Sequence, residues 1–362
     1  MPELTTAEKI GQLFFIGIPG PEIDEQTKIL LDTVQPGGVC LFARNIKGRK
    51  QTRDLLDTLR ERLDNPLLSV DQEGGLVDRL RRIMTPMPSA DKIKTVDDAA
   101  ALGRIIAETL RILGFNMDFA PVVDVIDAGR GRYSNGLHSR AFGKSKDDVA
   151  ELAGAFLTAM QDDGVVGCVK HFPGLGASEV DSHKELPTVS IDEDELKNND
   201  LYPYRSLLGS GSVKSVMIAH AAFPNVRLQE QDQNGKLLPS SLSPAIISEL
   251  LRGEFGFDGL IVTDDLEMGA IVENYGIGDA CKRAIAAGAD MLAICAGEAA
   301  IREGHEAITA AVENGEITEE RLDRSIERIS SLKTKLAEPL PFDNERLDAL
   351  SNEIVELNRR IN

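Results

Sequence analysis

Carboxylates, imidazoles and a lysine stand at the ends of short apolar runs in this 362-residue chain. The run LLSV stops on Asp71-Gln72-Glu73, and NMDFAPV leads into Asp124. VVGCV stops on Lys170-His171, SVMIA on His220, and GLIV on Thr263-Asp264-Asp265. One aspartate before a helix is a helix cap. Five polar strand ends exceed what capping needs, and groups of this kind do acid–base and nucleophilic work when gathered in one place. The segment Lys170 to His183 carries two of the chain's five histidines. Its Asp181-x-His183 spacing lets a carboxylate reach one ring nitrogen, fix the tautomer and leave the other nitrogen for proton transfer. The connection from Lys170 to the next helix, near Asp192, is about twenty residues, longer than the ~12–15 at which loops in compact domains are functional or disordered.

Eight apolar runs supply the elements that must position these groups: residues 13–18, 38–43, 67–71, 116–122, 165–171, 215–220, 259–264 and 290–295. Between them lie stretches with apolar residues at i, i+3, i+4 and i+7, among them 48–65, 96–114, 144–164 and 243–255. Thr6 reads as the N-cap of the first helix. Continuous apolar strands alternating with helices imply a parallel sheet covered by helices. Eight such units predict an α/β fold, a TIM (β/α)₈ barrel, whose chemistry sits at the C-terminal ends of the strands. An open doubly wound sheet is the alternative, but no GxGxxG turn follows the first run. The barrel is expected over 1–337, with extra helices over 297–314 and 318–337. A C-terminal helix over 338–362 shows a narrow stripe of Leu347, Leu350, Ile354, Leu357 and Ile361. That stripe suits packing on the barrel wall or, as a second reading, a dimer contact; a monomer or weak homodimer is expected.

Lys and Arg number 40 against 59 Asp and Glu, a formal charge of −19. So acidic a surface repels phosphate backbones and excludes nucleic acid as a partner. No stretch of ~18 apolar residues exists to span a membrane. The N-terminus, MPELTTAEKIGQLF, lacks the basic and apolar segments of a signal peptide. Cys40, Cys168, Cys281 and Cys295 lack metal-ligand spacing, and three of them lie inside apolar runs, as buried reduced thiols do. A cytoplasmic location is expected, with no metal and no cofactor.

The run K-H-F-P-G-L-G-x4-D-S-H (170–183) resembles the signature of glycoside hydrolase family 3, in its NagZ-like β-N-acetylglucosaminidase branch. PGGVCLFARN (36–45), VDQEGGLVDRL (70–80), GFNMDFAPVVDV (114–125), SRAFG (139–143), VMIAHAAFP (216–224) and FDGLIVTDDLEMGA (257–270) resemble the same branch in the same order. The similarity covers about residues 5–335. It implies a retaining exo-glycosidase that releases terminal N-acetylglucosamine, in bacteria from muropeptides during peptidoglycan recycling. Asp264 matches the family's nucleophile, and His183 its acid/base, oriented by Asp181. Asp71, Arg79, Arg140, Lys170 and His171 match sugar-binding positions, and His220 is expected to line the pocket. Asp265 is read as a helix cap or a supporting acceptor, because neighbours on a strand face opposite ways. Leu76 departs from the family's G-G-R-V pattern, which removes one polar contact near the glycone. A β-glucosidase, a glycoside phosphorylase and a non-catalytic sugar-binding protein are the competing readings.

Overall fold

The computed structural model describes residues 4–133, 135–179 and 186–361. Eight parallel strands occur where the apolar runs predict them: β1 (Phe14–Gly17), β2 (Gly38–Leu41), β3 (Leu67–Val70), β4 (Met117–Asp118), β5 (Val166–Phe172), β6 (Ser215–Ile218), β7 (Leu260–Thr263) and β8 (Leu292–Ile294). They are joined in the order β8-β1-β2-β3-β4-β5-β6-β7, and a parallel bridge from Val262 to Met291 brings β7 to β8. The result is a (β/α)₈ barrel. Every strand residue is buried, because side chains on one face fill the barrel and those on the other meet the helices. In the interior, the ring of Phe15 of β1 packs at a tilt against Phe119 beyond β4, 5.1 Å between ring centres.

Three local details differ from the sequence reading. The first helix is capped by Thr5, not Thr6: Thr5 Oγ1 accepts from the Glu8 N–H, and the Thr5 N–H donates to Glu8 Oε2 at 2.7 Å. This reciprocal pair satisfies two donors that the helix start leaves orphaned. β4 is only two residues long, because Pro121 has no N–H to give the ladder. Pairing resumes beyond it, where the Val123 N–H donates to the Lys170 carbonyl at 2.7 Å. Residues Ala245–Glu254 form a widened helix of the i→i+5 kind that ends with the Phe255 N–H on the Leu250 carbonyl.

The C-terminal helix, Asn344–Ile361, lays Leu347, Leu350, Ile354 and Leu357 on helix Val96–Leu113, with each of the four buried. Burying each leucine or isoleucine stabilises the packing by roughly 1.5–3 kcal/mol. At the edge, Arg346 makes two 2.6 Å bonds to Glu108, and Arg49 meets Asp348 at 2.7 Å. The stripe is thus occupied within the chain. Among the described residues no helix is long and apolar enough to cross a membrane.

Candidate active site

The C-terminal ends of β3, β5 and β7 converge on a cavity of about 180 Å³, whose wall includes Asp71, Arg79, Arg140, Lys170, His171 and Asp264. Lys170 is its buried centre. Its Nζ lies 2.7 Å from Asp71 Oδ1 and 2.7 Å from Glu73 Oε1. Arg140 grips the same Glu73 through both oxygens, Nε to Oε2 at 2.8 Å and Nη2 to Oε1 at 3.0 Å. A two-stranded hairpin, Gln72–Gly74 with Val77–Asp78, presents Glu73. Gly74 sits at φ +89°, and a Cβ there would lie 2.1 Å from the Pro88 carbonyl, so only glycine lets the hairpin seat this closely.

His171 Nδ1 is 2.7 Å from Asp124 Oδ2, and Arg140 Nη2 approaches His171 Nε2 at 3.4 Å. Arginine only donates, so Nε2 is the acceptor and the ring proton sits on Nδ1, facing Asp124. The other Asp124 oxygen takes the Leu175 N–H at 2.6 Å, which fixes the start of the long connection after β5. Arg79 makes no ion pair among the described residues. Its Nε is buried without a partner, and its guanidinium faces the Phe42 ring at 5.9 Å. Among the described residues it is a half-buried cation without a counter-ion, in the wall of the cavity.

Burial works to raise the pKa of Glu73, but the charges and hydrogen bonds of Lys170 and Arg140 outweigh it and hold the group down at about 2. Its ordinary value is 4.5, so this stability is complete above pH 4.5 and is lost as pH falls toward 2. The shift corresponds to about 3 kcal/mol. The stability gap between wild type and Glu73→Gln, measured by urea unfolding, should therefore narrow between pH 5 and pH 3; a gap unchanged over that range would contradict the pairing. Asp118 lies beneath the same cluster. Burial pushes its pKa well above the carboxylate range, Oδ1 accepts the Gln72 N–H at 2.9 Å, and Oδ2 has no partner. Burial thus favours its protonated form, beneath the ion pairs that Lys170 makes with Asp71 and Glu73.

Asp264 follows the last residue of β7, and its Oδ1 accepts the Asp265 N–H at 2.9 Å. Among the described residues its Oδ2 has no hydrogen bond. Burial would raise its pKa, yet His220, His171, the Asp265 N–H and Lys170 bring it below the ordinary carboxylate value. Its neighbour goes the other way. Burial, with the charges of Glu267 and Asp264, pushes Asp265 up to about 7. Two adjacent carboxylates are thus driven apart, one ionised and one holding a proton near neutrality, a division found where acid and nucleophile roles must separate. Asp265 Oδ1 accepts the N–H groups of Glu267 and Cys295, the supporting part read from the sequence. It also reaches the cavity wall, because β7 ends at Thr263 and strict alternation ends with it.

His220 departs from expectation. It is fully buried, does not line the cavity, and has both ring nitrogens engaged: Nε2 donates to the Asp265 carbonyl at 3.0 Å and Nδ1 meets Ser241 Oγ at 2.7 Å. Burial lowers its pKa, and its two ring contacts buttress the segment that carries Asp264. Asp181 and His183 lie outside the described residues. The roles of Glu73 and Asp124 escaped the sequence reading, although both stand at polar strand ends. The signal was available, since a lysine and an arginine in apolar surroundings require buried counter-ions. A larger cavity, about 780 Å³, opens around Lys214, Phe255 and Arg328 at the N-terminal ends of β6 and β7 and holds none of these groups.

The family model for the glycosyl hydrolase family 3 N-terminal domain matches residues 5–332. A β-hexosaminidase of Tolumonas auensis is 34% identical over 298 residues, 80% of this chain and 85% of that protein. One of Pseudomonas aeruginosa is 36% identical over 288 residues, 77% and 81% of the two chains. Among solved structures, a glycoside hydrolase family 3 β-N-acetylglucosaminidase from a Paenibacillus species superposes with a TM-score of 0.88 at 34% identity, covering 98% of this chain and 69% of that one. A glycosyl hydrolase of the same family from Mycobacterium smegmatis gives 0.81 at 32% identity, covering 92% and 98%. The match runs through the whole barrel and takes in every polar strand end described above, and the chain belongs to glycoside hydrolase family 3, in its β-hexosaminidase branch.

Proposed function

We propose that the protein is a retaining, exo-acting β-N-acetylhexosaminidase that releases terminal N-acetylglucosamine. The observation that carries this reading is Asp264: an ionised carboxylate with one oxygen free, in the wall of a small cavity crowded with hydrogen-bonding groups. The volume falls below the ~300–1,000 Å³ of drug-sized ligand sites, in keeping with one terminal sugar rather than an internal stretch of chain. Asp264 attacks the anomeric carbon and forms a glycosyl ester as the bond to the leaving oxygen breaks. His183, held by Asp181, gives its proton to that oxygen and later takes one from the water that hydrolyses the ester. Asp71, Arg79, Arg140, Lys170 and His171 bind the sugar hydroxyls; charged donors and acceptors do this with strong, directional bonds.

Supporting the finer reading are the branch of the family and four free, buried cysteines, a pattern suited to a reducing compartment. We place the natural substrates among N-acetylglucosamine-bearing muropeptide fragments of peptidoglycan recycling, in the cytoplasm. Aryl β-glycosides that differ only at C2 test the reaction. The acetamido sugar should be cleaved at least about 10²-fold faster than the 2-hydroxy sugar, the discrimination expected when a buried polar group loses its partner. Preference for the 2-hydroxy sugar would move the protein to the β-glucosidases, and no turnover of either would favour a binding role.

A further inference from the structure

A cavity of about 360 Å³ is walled largely by arginines: Arg252, Arg321, Arg324 and Arg328. Among the described residues its wall holds no carboxylate. In a chain of formal charge −19 so local a concentration of positive charge needs a reason. Arg321, Arg324 and Arg328 stand three and four residues apart on helix Glu319–Lys333, and that spacing puts them on one face. Arg252 comes from helix Ala245–Glu254 and donates to the carbonyls of Phe257 and Gly259, just before β7. The cavity thus lies at the N-terminal end of the barrel, away from the sugar site. Its wall stays open at Gly288, which ends helix Ile277–Ala287 at φ +119°; a Cβ there would lie 2.6 Å from Ser248 Oγ.

The partners of these arginines do not balance their charge. Asp290, fully buried, is the counter-ion beneath them. Its Oδ2 accepts Arg252 Nη2 at 2.5 Å and the Ile261 N–H at 2.9 Å, and its Oδ1 accepts Ser325 Oγ at 3.1 Å and Arg328 Nη1 at 3.5 Å. Both oxygens are engaged. Arg324 meets Glu320 at 2.5 Å and Arg328 meets Asp258 at 2.8 Å, but those carboxylates are 76% and 84% exposed, and water screens such pairs. Arg321 contacts no carboxylate among the described residues. Its Nε donates to the Ile285 carbonyl at 2.8 Å, its Nη2 to the Ala289 carbonyl at 2.5 Å and its Nη1 to Ser325 Oγ at 2.8 Å. A guanidinium has five N–H donors and does not lose its proton, so Arg321 keeps its charge and has donors to spare. Burial pushes its pKa down, and the charges of Arg328, Arg252 and Arg324 push the same way against Asp290. A part-buried cation among like charges is stabilised by an anion.

We propose that this cavity binds the phosphate group of a small phosphorylated molecule, with Arg321 and Arg324 as its principal cations. A phosphate ester carries about two negative charges near neutral pH and offers three acceptor oxygens. Guanidinium forks match those oxygens in pairs. The volume lies within the ~300–1,000 Å³ of small-molecule sites, so an organic group has room beside the phosphate.

The test is calorimetric titration of the full chain with inorganic pyrophosphate and with glycerol 3-phosphate, glycerol serving as the uncharged control and potassium chloride holding the ionic strength near ~0.15 M. At least one phosphate probe should bind once per chain with Kd below about 1 mM. Arg324 is 58% exposed and bonded within its own helix turn, so its variants should fold. Arg324→Gln should weaken binding about fivefold or more and Arg324→Glu about fiftyfold or more, as loss and then reversal of a charge in contact with the ligand requires. Arg321→Gln should lower affinity at least as far as Arg324→Gln. Arg359→Gln, which removes an arginine paired with Glu356 on the C-terminal helix, should bind as wild type. A preference for glycerol 3-phosphate over pyrophosphate would assign the site to phosphate esters, and the reverse to inorganic phosphates. No binding of either probe up to about 10 mM would overturn the proposal. So would equal affinity in Arg324→Glu and wild type, or glycerol binding as tightly as its phosphate. The readout is heat of binding with no glycoside present, so the result does not depend on the glycosidase reading.

Discussion

Asp264→Asn should lower kcat by at least about 10⁴-fold on aryl N-acetylglucosaminides, some 5.5 kcal/mol of transition-state stabilisation, while a non-hydrolysable sugar analogue should bind within about threefold of wild type. The amide is isosteric, and its oxygen still accepts the Asp265 N–H, so the local backbone stays in place. What disappears is the anion and the atom that would bond to the anomeric carbon. A carboxylate nucleophile gives a covalent intermediate, so a slow fluorinated substrate should add one glycosyl mass to the wild-type peptide carrying residues 257–270, and none to the variant. The choice between the two adjacent carboxylates rests on their protonation. Asp264 is ionised at neutral pH, whereas Asp265 titrates at about 7 and commits an oxygen to two backbone N–H groups. A glycosyl group recovered on Asp265 or Asp71, or a variant that keeps a tenth of the wild-type rate, would refute the assignment.

The barrel was legible because its signal is redundant. Eight apolar runs separated by helical periodicity leave few topologies, and each strand lies within the stretch read for it or within one residue of it. What the sequence could not show is where a partner comes from far away. Thr5 and Thr6 are equally good caps on paper, and the choice depends on which hydroxyl Glu8 can answer. His220 looks like Lys170 and His171 in the sequence, a polar group closing a strand. It turns inward because Ser241, twenty-one residues on, and the Asp265 carbonyl take both its nitrogens. Asp264 and Asp265 obey alternation only while the strand lasts, and β7 stops one residue before them. Glu73 has no motif of its own. Its part emerges only once Lys170, from strand β5, and Arg140, from the loop after β4, are seen to share it.

Lys170→Met should destabilise the fold by about 3–5 kcal/mol, the usual consequence of removing one partner from a buried ion pair. The lysine is 2% exposed and contacts two carboxylates at 2.7 Å. Burial alone would lower its pKa, yet the charges of Asp71 and Glu73 drive it above the ordinary lysine value. Without the ammonium, Glu73 keeps only Arg140, and Asp71 has no remaining ion pair among the described residues. Much of the loss is therefore the desolvation of stranded anions rather than the attraction itself. That distinction is measurable. Lys170→Met combined with Glu73→Gln removes one stranded charge, and its urea midpoint should recover part of the loss, a coupling of at least about 1 kcal/mol in a double-mutant cycle. Activity should not recover with it, because the amide repairs the electrostatics of folding and leaves the cavity without its lysine. Strict additivity, or a single variant within about 1 kcal/mol of wild type, would mean that water reaches this lysine and that the cluster is no more than a surface salt bridge.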